Sequence, residues 1–240
     1  MEKIKLGSIY FEGRAVGPAA DSHLARYFSL GDTVPGKELE WVKDGKTLVA
    51  ACCACTCVSW ETLSWLGYIT GHPVRIDGKP YWCRSLTVGV TYKDKSEWDD
   101  LLGRFGPSNK LWHWKGCFFW GQEADPKNPG TRMMRGGTIA ARSRLAAPAF
   151  SDDETTGFRP VLEELPPEPE LTPALTGTTL KVYGPRGLVL DGQVVGFDDY
   201  DLVLRNPVNQ LFGRENGWAV QREGEISISR KEIAWMEEKK

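Results

Sequence analysis

The chain has 240 residues, a formal charge of -2 and 41% apolar residues, the make-up of a folded globular protein rather than a disordered one. Near-neutral charge excludes a broadly basic nucleic-acid coat but leaves room for a local basic site. No apolar run of about 18 residues is present to span a membrane. The start, Met1-Glu-Lys-Ile-Lys-Leu-Gly-Ser-Ile-Tyr10, lacks the apolar core and cleavage site of an export signal, so a cytoplasmic protein is expected.

In chain order, Asp21-Ser22 can cap a short helix that carries Leu24, Tyr27 and Phe28 and is ended by Gly31. Residues 46–51 read as a strand. Ser59 opens a second helix, with Trp60, Leu63 and Leu66 at helical spacing. Residues 74–76 lead as a strand into an Asp77-Gly78 turn, and residues 81–92 read as another strand. Ser96-Glu-Trp-Asp99 looks like a capping box for a helix that buries Trp98, Leu101 and Leu102. This mixture predicts an irregular α+β domain over residues 1–162.

Residues 163–173, Glu163-Glu-Leu-Pro-Pro-Glu-Pro-Glu-Leu-Thr-Pro173, then combine proline with glutamate. Proline fixes φ and removes donors, and like charges repel, so an extended linker is expected. Residues 174–240 read as all β. Strands are expected at 179–183, 188–197, 202–204, 225–230 and 233–236, with Gly184-Pro-Arg-Gly187 as a turn. Gly192 and Gly196 inside one strand suit sharp bending or close backbone approach.

The C-terminal run Val182-Tyr-Gly-Pro-Arg-Gly-Leu-Val-Leu-Asp-Gly-Gln-Val-Val-Gly-Phe-Asp-Asp-Tyr-Asp-Leu-Val-Leu-Arg-Asn206 resembles the first Sm motif in its bacterial Hfq-like form. Ile228-Ser-Arg-Lys-Glu-Ile233 stands in the place of the second motif. The resemblance implies a five-stranded Sm-like small barrel and a homo-oligomeric ring, with a hexamer favoured. It also implies an RNA site, with Tyr200 stacking on a base and Arg230 and Lys231 as basic contacts. Asp198 would order the turn, and Asn206 would touch a base or close the adjoining loop. The chain departs from the pattern in a longer 207–224 segment carrying Phe212 and Trp218. It also has Ser229 in place of an aromatic, and a helix shortened to 171–178 with Pro173 inside it.

Upstream, Arg132-Met-Met-Arg-Gly-Gly-Thr138, Ala141-Arg-Ser-Arg144 and Gly157-Phe-Arg-Pro160 occur in that order. They resemble the carboxyl end of the formylglycine-generating-enzyme-like fold, a C-type-lectin-like architecture also found in ligand-binding proteins of phages and mobile elements. That family's activity needs a copper-handling cysteine pair near this end. Here the last cysteine, Cys117, lies before Arg135-Gly-Gly137, so the catalytic residues do not carry over.

Eight of the ten tryptophans, Trp41, Trp60, Trp65, Trp82, Trp98, Trp112, Trp114 and Trp120, fall in the first domain, as do all six cysteines. Most of these rings are expected in the core. The aromatic run from Leu111 to Glu123 suggests a cleft in which Trp112, Trp114 and Trp120 form walls, and Arg135 and Arg142 receive an anionic, nucleotide-like ligand.

Ala51-Cys-Cys-Ala-Cys-Thr-Cys57 holds only one zinc-knuckle spacing, Cys52/Cys55, while Cys83 and Cys117 stand alone. These thiols read as small apolar core groups, and neither metal nor cofactor is expected. His23, His72 and His113 are scattered, and Asp99-Asp100 and Asp152-Asp-Glu154 read as solvated faces. No nucleophile-elbow, phosphate-loop or zinc-protease motif is present. The leading expectation is a non-enzymatic, ring-forming binding protein of phage or mobile-element type, a sponge for a nucleotide signal of bacterial immunity. The alternatives are an RNA-binding regulator acting through Tyr200, Arg230, Lys231 and Asn206, and an enzyme using Cys117 or another thiol.

Overall fold

A computed structural model describes residues 2–24, 27–137, 141–208 and 218–239, and the chain divides into two compact units, Met1–Glu164 and Leu165–Lys240. The first unit carries strands β1 (Lys3–Phe11), β2 (Arg14–Val16), β3 (Ala20–Asp21), β4 (Phe28–Gly31), β5 (Glu38–Asp44), β6 (Thr47–Ala50) and β7 (Cys55–Thr56). Helix α1 (Trp60–Trp65), strands β8 (His72–Ile76) and β9 (Lys79–Ser85), and helices α2 (Glu97–Phe105) and α3 (Asn109–Trp112) follow. Strands β10 (Phe118–Asp125), β11 (Asn128–Gly136), β12 (Arg144–Pro148), β13 (Thr156–Phe158) and β14 (Pro160–Glu164) complete it.

These strands form two sheets. One runs β2-β1-β5-β6-β14-β9-β8, with β4 also paired to β1, and the other runs β12-β11-β10-β13-β7-β3. The middle of the first sheet is buried on both faces, and the period-two alternation of side chains shows how. On β5, Leu39 and Trp41 enter one core and Val42 the other; on β14, Leu162 and Val161 divide in the same way. The first core gathers Phe28, Tyr68, Trp120 and Phe158, and the second gathers Trp98, Trp112 and Phe119 beneath α2.

Local chemistry sets the helix starts. Ser59 caps α1 through a hydrogen bond to the Thr62 amide, and Ser96 caps α2 through one to the Asp99 amide. The β8–β9 hairpin turns at Asp77 (φ 50°) and Gly78 (φ 78°), the paired left-handed conformations of a tight two-residue turn.

The expected α+β domain is corrected: strand makes up 49% and helix 14%, with three short α-helices among the described residues. The helix expected after Asp21-Ser22 is a 3-10 turn at Ser22–Leu24 followed by strand β4. Buried Phe28 and Leu30 flank exposed Ser29 and pair with β1, so a period of two prevails over the local capping signal. The strand expected to reach residue 92 ends at Ser85.

The second unit contains β15 (Thr179–Tyr183), β16 (Val189–Phe197), β17 (Asp201–Val208), β18 (Ala219–Arg222), β19 (Glu225–Ser229) and β20 (Trp235–Glu238). The expected five-stranded Sm-like barrel is corrected to a six-stranded curled sheet, ordered β18-β19-β17-β16-β15-β20. The 207–224 segment, longer than the Hfq-like pattern, supplies β18, which pairs with β19 and extends the sheet. Gly192 lies where the pairing of β16 with β17 shifts register, and a Cβ there would stand 2.8 Å from the Leu204 Cβ. Leu180, Val182, Leu202, Leu204, Ile226 and Ile228 fill the core of this unit. Phe212 lies outside the described residues. No helix among the described residues is long and apolar enough to cross a membrane.

Candidate functional site

The tryptophan cleft does not form from the residues expected to line it. Trp112 and Trp120 are fully buried, and their indole N–H groups donate to the carbonyls of Gly106 (3.0 Å) and Val58 (2.7 Å). Trp112 meets Trp98 edge-on at 5.3 Å. A ring packed on every side has no face left for a ligand. Trp114 is half-buried and donates to the Pro107 carbonyl.

Arg135 is also fully buried. Its guanidinium pairs with Asp99, donates from Nε to the Val88 carbonyl at 2.8 Å, and reaches the Arg142 carbonyl at 3.1 Å. Arg144 adds a second cation to Asp99 at 2.7 Å, whereas Arg142 is exposed with Nη1 3.8 Å from the same carboxylate. Burial raises the pKa of Asp99, but hydrogen bonds from Arg135 and Ser96 outweigh it and hold the carboxyl below its usual range. Arg135 is therefore a core ion-pair member rather than an anion receptor.

The cysteines are free and mostly buried. Burial pushes the Cys52 thiol up to about 11 and raises Cys55 and Cys83 further. Cys53 and Cys117 meet Sγ to Sγ at 2.9 Å. The hydrogen bond between the two thiols and the nearby Arg159 charge hold Cys117 below the usual thiol range. Arg159 is fully buried, donates to the carbonyls of Ala50 and Trp112 at 2.7 Å each, and lies 4.7 Å over the Phe119 ring. The thiol pair is roofed by Gly157, where a Cβ would stand 2.9 Å from both sulfurs. Gly157→Ala is expected to cost about 1–3 kcal/mol through overpacking, read as a lowered urea midpoint. An unchanged midpoint would show that both thiols and the Cys55 carbonyl, which the Cβ would also meet at 2.9 Å, can move aside.

In the second unit, pairing of Asp201 with Ser229 sets Tyr200 opposite Arg230, whose amide donates to the Tyr200 carbonyl at 2.8 Å. The Asp198 carboxylate accepts from the amides of Tyr200 (2.8 Å) and Asp201 (2.7 Å), and these bonds hold its carboxyl below the ordinary range. Arg230 also donates to the Asp198 carbonyl. The turn is thus tied at both ends, while the Tyr200 side chain stands out, 79% exposed. Lys231 is exposed in the adjoining 3-10 turn. Asn206 is not part of this group. It lies towards the far end of β17, roughly 17 Å along the strand from Asp201 at about 3.4 Å per residue.

A second cluster lies in the first unit and was missed in the sequence. Parallel pairing of β3 with β7 brings Asp21 beside Thr56, and so beside Cys57. Ser22 Oγ donates to the Cys57 carbonyl at 2.6 Å, and the His23 amide donates to Asp21 Oδ1 at 2.9 Å. His23 Nδ1 is 3.7 Å from Asp21 Oδ1, and His23 Nε2 is 3.2 Å from Asp152 Oδ2. Burial pushes the Cys57 thiol up to about 11, and its hydrogen bond to Asp21 adds to the rise. The cluster borders a cleft of about 260 Å³ lined by Tyr27, Phe28, Ser59, Thr62 and Asp152. Only the Asp-x-His spacing of residues 21–23 hinted at it, since Cys57 and Asp152 are remote in the chain.

Fold and geometry together define a two-unit, mainly β protein with an exposed aromatic–cation turn in one unit and a thiol–imidazole–carboxylate cluster in the other. Comparison with family models, curated proteins and solved structures finds no match to the chain.

Proposed function

We propose that this chain is a non-enzymatic binding protein that takes the base of a nucleotide or of single-stranded RNA on Tyr200, with Arg230 and Lys231 meeting the phosphate. The supporting observation is the Tyr200 ring itself, 79% exposed on a turn whose backbone is held by Asp198 and Arg230. An ordered turn loses little entropy when a base stacks on it. Arg230, bonded to the Tyr200 backbone, and Lys231 in the same turn would supply the charge that a phosphate needs.

Tyr200→Ala is expected to weaken binding of a short fluorescent uridine-rich RNA by about 1–3 kcal/mol, roughly five- to 150-fold in anisotropy titrations. With two cations engaged, log affinity should fall with log salt at a slope of about -1.4. Binding unaffected by Tyr200→Ala would sink the reading. Competition by a mononucleotide at equal affinity would identify the nucleotide, rather than the strand, as the ligand.

In this reading the chain also self-associates. Strands β18 and β20 each pair on one side only among the described residues, and Val220 on β18 is 52% exposed. Unpaired edges of this kind invite pairing with a second copy. Different edges meeting head to tail close into a ring when the rotation fits. The mass of the native protein tests this, and a monomer at micromolar concentration would refute it.

A further inference from the structure

We propose that Asp21, His23 and Cys57 form a binding site for a divalent ion of the zinc class, with one coordination position left open towards the neighbouring cleft. One donor atom from each residue lies within 4.8 Å of the other two. Donors bound at about 2.0–2.3 Å in a tetrahedron stand roughly 3.3–3.7 Å apart. The His23 Nδ1 to Asp21 Oδ1 distance of 3.7 Å already meets that condition, and the thiol needs a shift of about an ångström at most.

The donor set selects the ion. Imidazole nitrogen and thiolate sulfur suit zinc and its neighbours, whereas calcium and magnesium take oxygen shells. A dication binds Cys57 as its thiolate, with the thiol proton passing to solvent. The two negative charges of Asp21 and Cys57 then balance the two positive charges of the ion, and His23 binds neutral.

The surroundings also match a metal site. Asp152 lies 3.2 Å from His23 Nε2, where a carboxylate can accept the ring N–H and so present Nδ1 to the ion. Cys57 takes φ 56°, a left-handed conformation that a non-glycine residue adopts only where its surroundings hold it. It is held there by the Ser22 hydroxyl on its carbonyl and by the pairing of β3 with β7. Three protein ligands leave the fourth position for water or for a group entering the 260 Å³ cleft beside Tyr27, Ser59 and Thr62.

The test is a cobalt titration of the chelator-treated full-length protein. Wild type should develop a thiolate-to-cobalt charge-transfer band that saturates near one ion per chain and is bleached by zinc. Cys57→Ser should abolish the band, and His23→Ala and Asp152→Asn should each weaken cobalt affinity about 10- to 100-fold. His23 and Asp152 side chains are 51% and 58% exposed, so those two variants keep the fold and decide the matter even if Cys57→Ser does not. No band in the wild type would overturn the site. So would a band undiminished in Cys57→Ser, which would belong to Cys52, Cys53 or Cys117, or an affinity unmoved in His23→Ala.

Discussion

Replacing Asp99 with alanine should destabilise the first unit by about 3–5 kcal/mol, the cost of leaving a buried cation without its partner. Arg135 is fully buried, and Asp99 is the carboxylate that pairs with it. Carbonyls of Val88 and Arg142 occupy two more of its donors but carry no full charge. The same change removes the Ser96 hydroxyl's bond to the Asp99 side chain at the start of α2. Arg144→Ala, in contrast, removes the outer cation and leaves the Asp99–Arg135 pair intact, so it should cost about 1 kcal/mol or less. Urea unfolding followed by tryptophan fluorescence separates the two, because Trp98 on α2 lies in the core beneath this network. Equal losses in both variants would show that the outer cation carries the pair.

Acid should unfold the protein partly through His72. The imidazole is 8% exposed at the start of β8, with its ring 4.7 Å from that of Tyr68. Burial pushes it down to about 4 from an ordinary 6.5, and the Pro73 backbone offsets only part of that. Between these values the unfolded chain binds a proton that the folded chain refuses, so stability falls as pH drops through this window. At 1.36 kcal/mol per unit the full effect approaches about 3 kcal/mol. Between about pH 7 and about pH 4.5, wild type should lose about 2–3 kcal/mol more than His72→Leu, which cannot titrate. Equal losses in urea unfolding at the two pH values would mean that the ring takes up its proton without unfolding.

Some of the fold was legible because its cause is local. The Ser59 and Ser96 caps, the Asp77-Gly78 turn and the alternating strand Thr179–Tyr183 each follow from a few neighbouring residues. Phe28 misled because a capping signal and a glycine framed a stretch too short to show its period. Pairing with β1 settled it as strand. The strand β18 lies in the 207–224 segment, where the sequence pattern marks no strand, and only its partner β19 makes it part of a sheet.

The candidate sites divide along the same line. Tyr200 and Arg230 are linked in the sequence by the resemblance of their segments to the two Sm motifs, and the register of β17 with β19 sets them side by side. Asn206 belonged to the same motif but is separated by the length of β17, since a strand extends about 3.4 Å per residue. Trp112, Trp120 and Arg135 have the chemistry of a ligand cleft and the position of a core.

The sequence alone determined that α1 and α2 begin at the Ser59 and Ser96 caps and that the β8–β9 hairpin turns at Asp77-Gly78, because capping and turn chemistry act over a few neighbouring residues. Tertiary structure decided which aromatic rings remain in water, which arginine is buried against a half-buried carboxylate, and that Asp21, His23, Cys57 and Asp152 meet at one cleft. Those outcomes depend on pairing between remote segments, such as β3 with β7, whose partners no local pattern specifies.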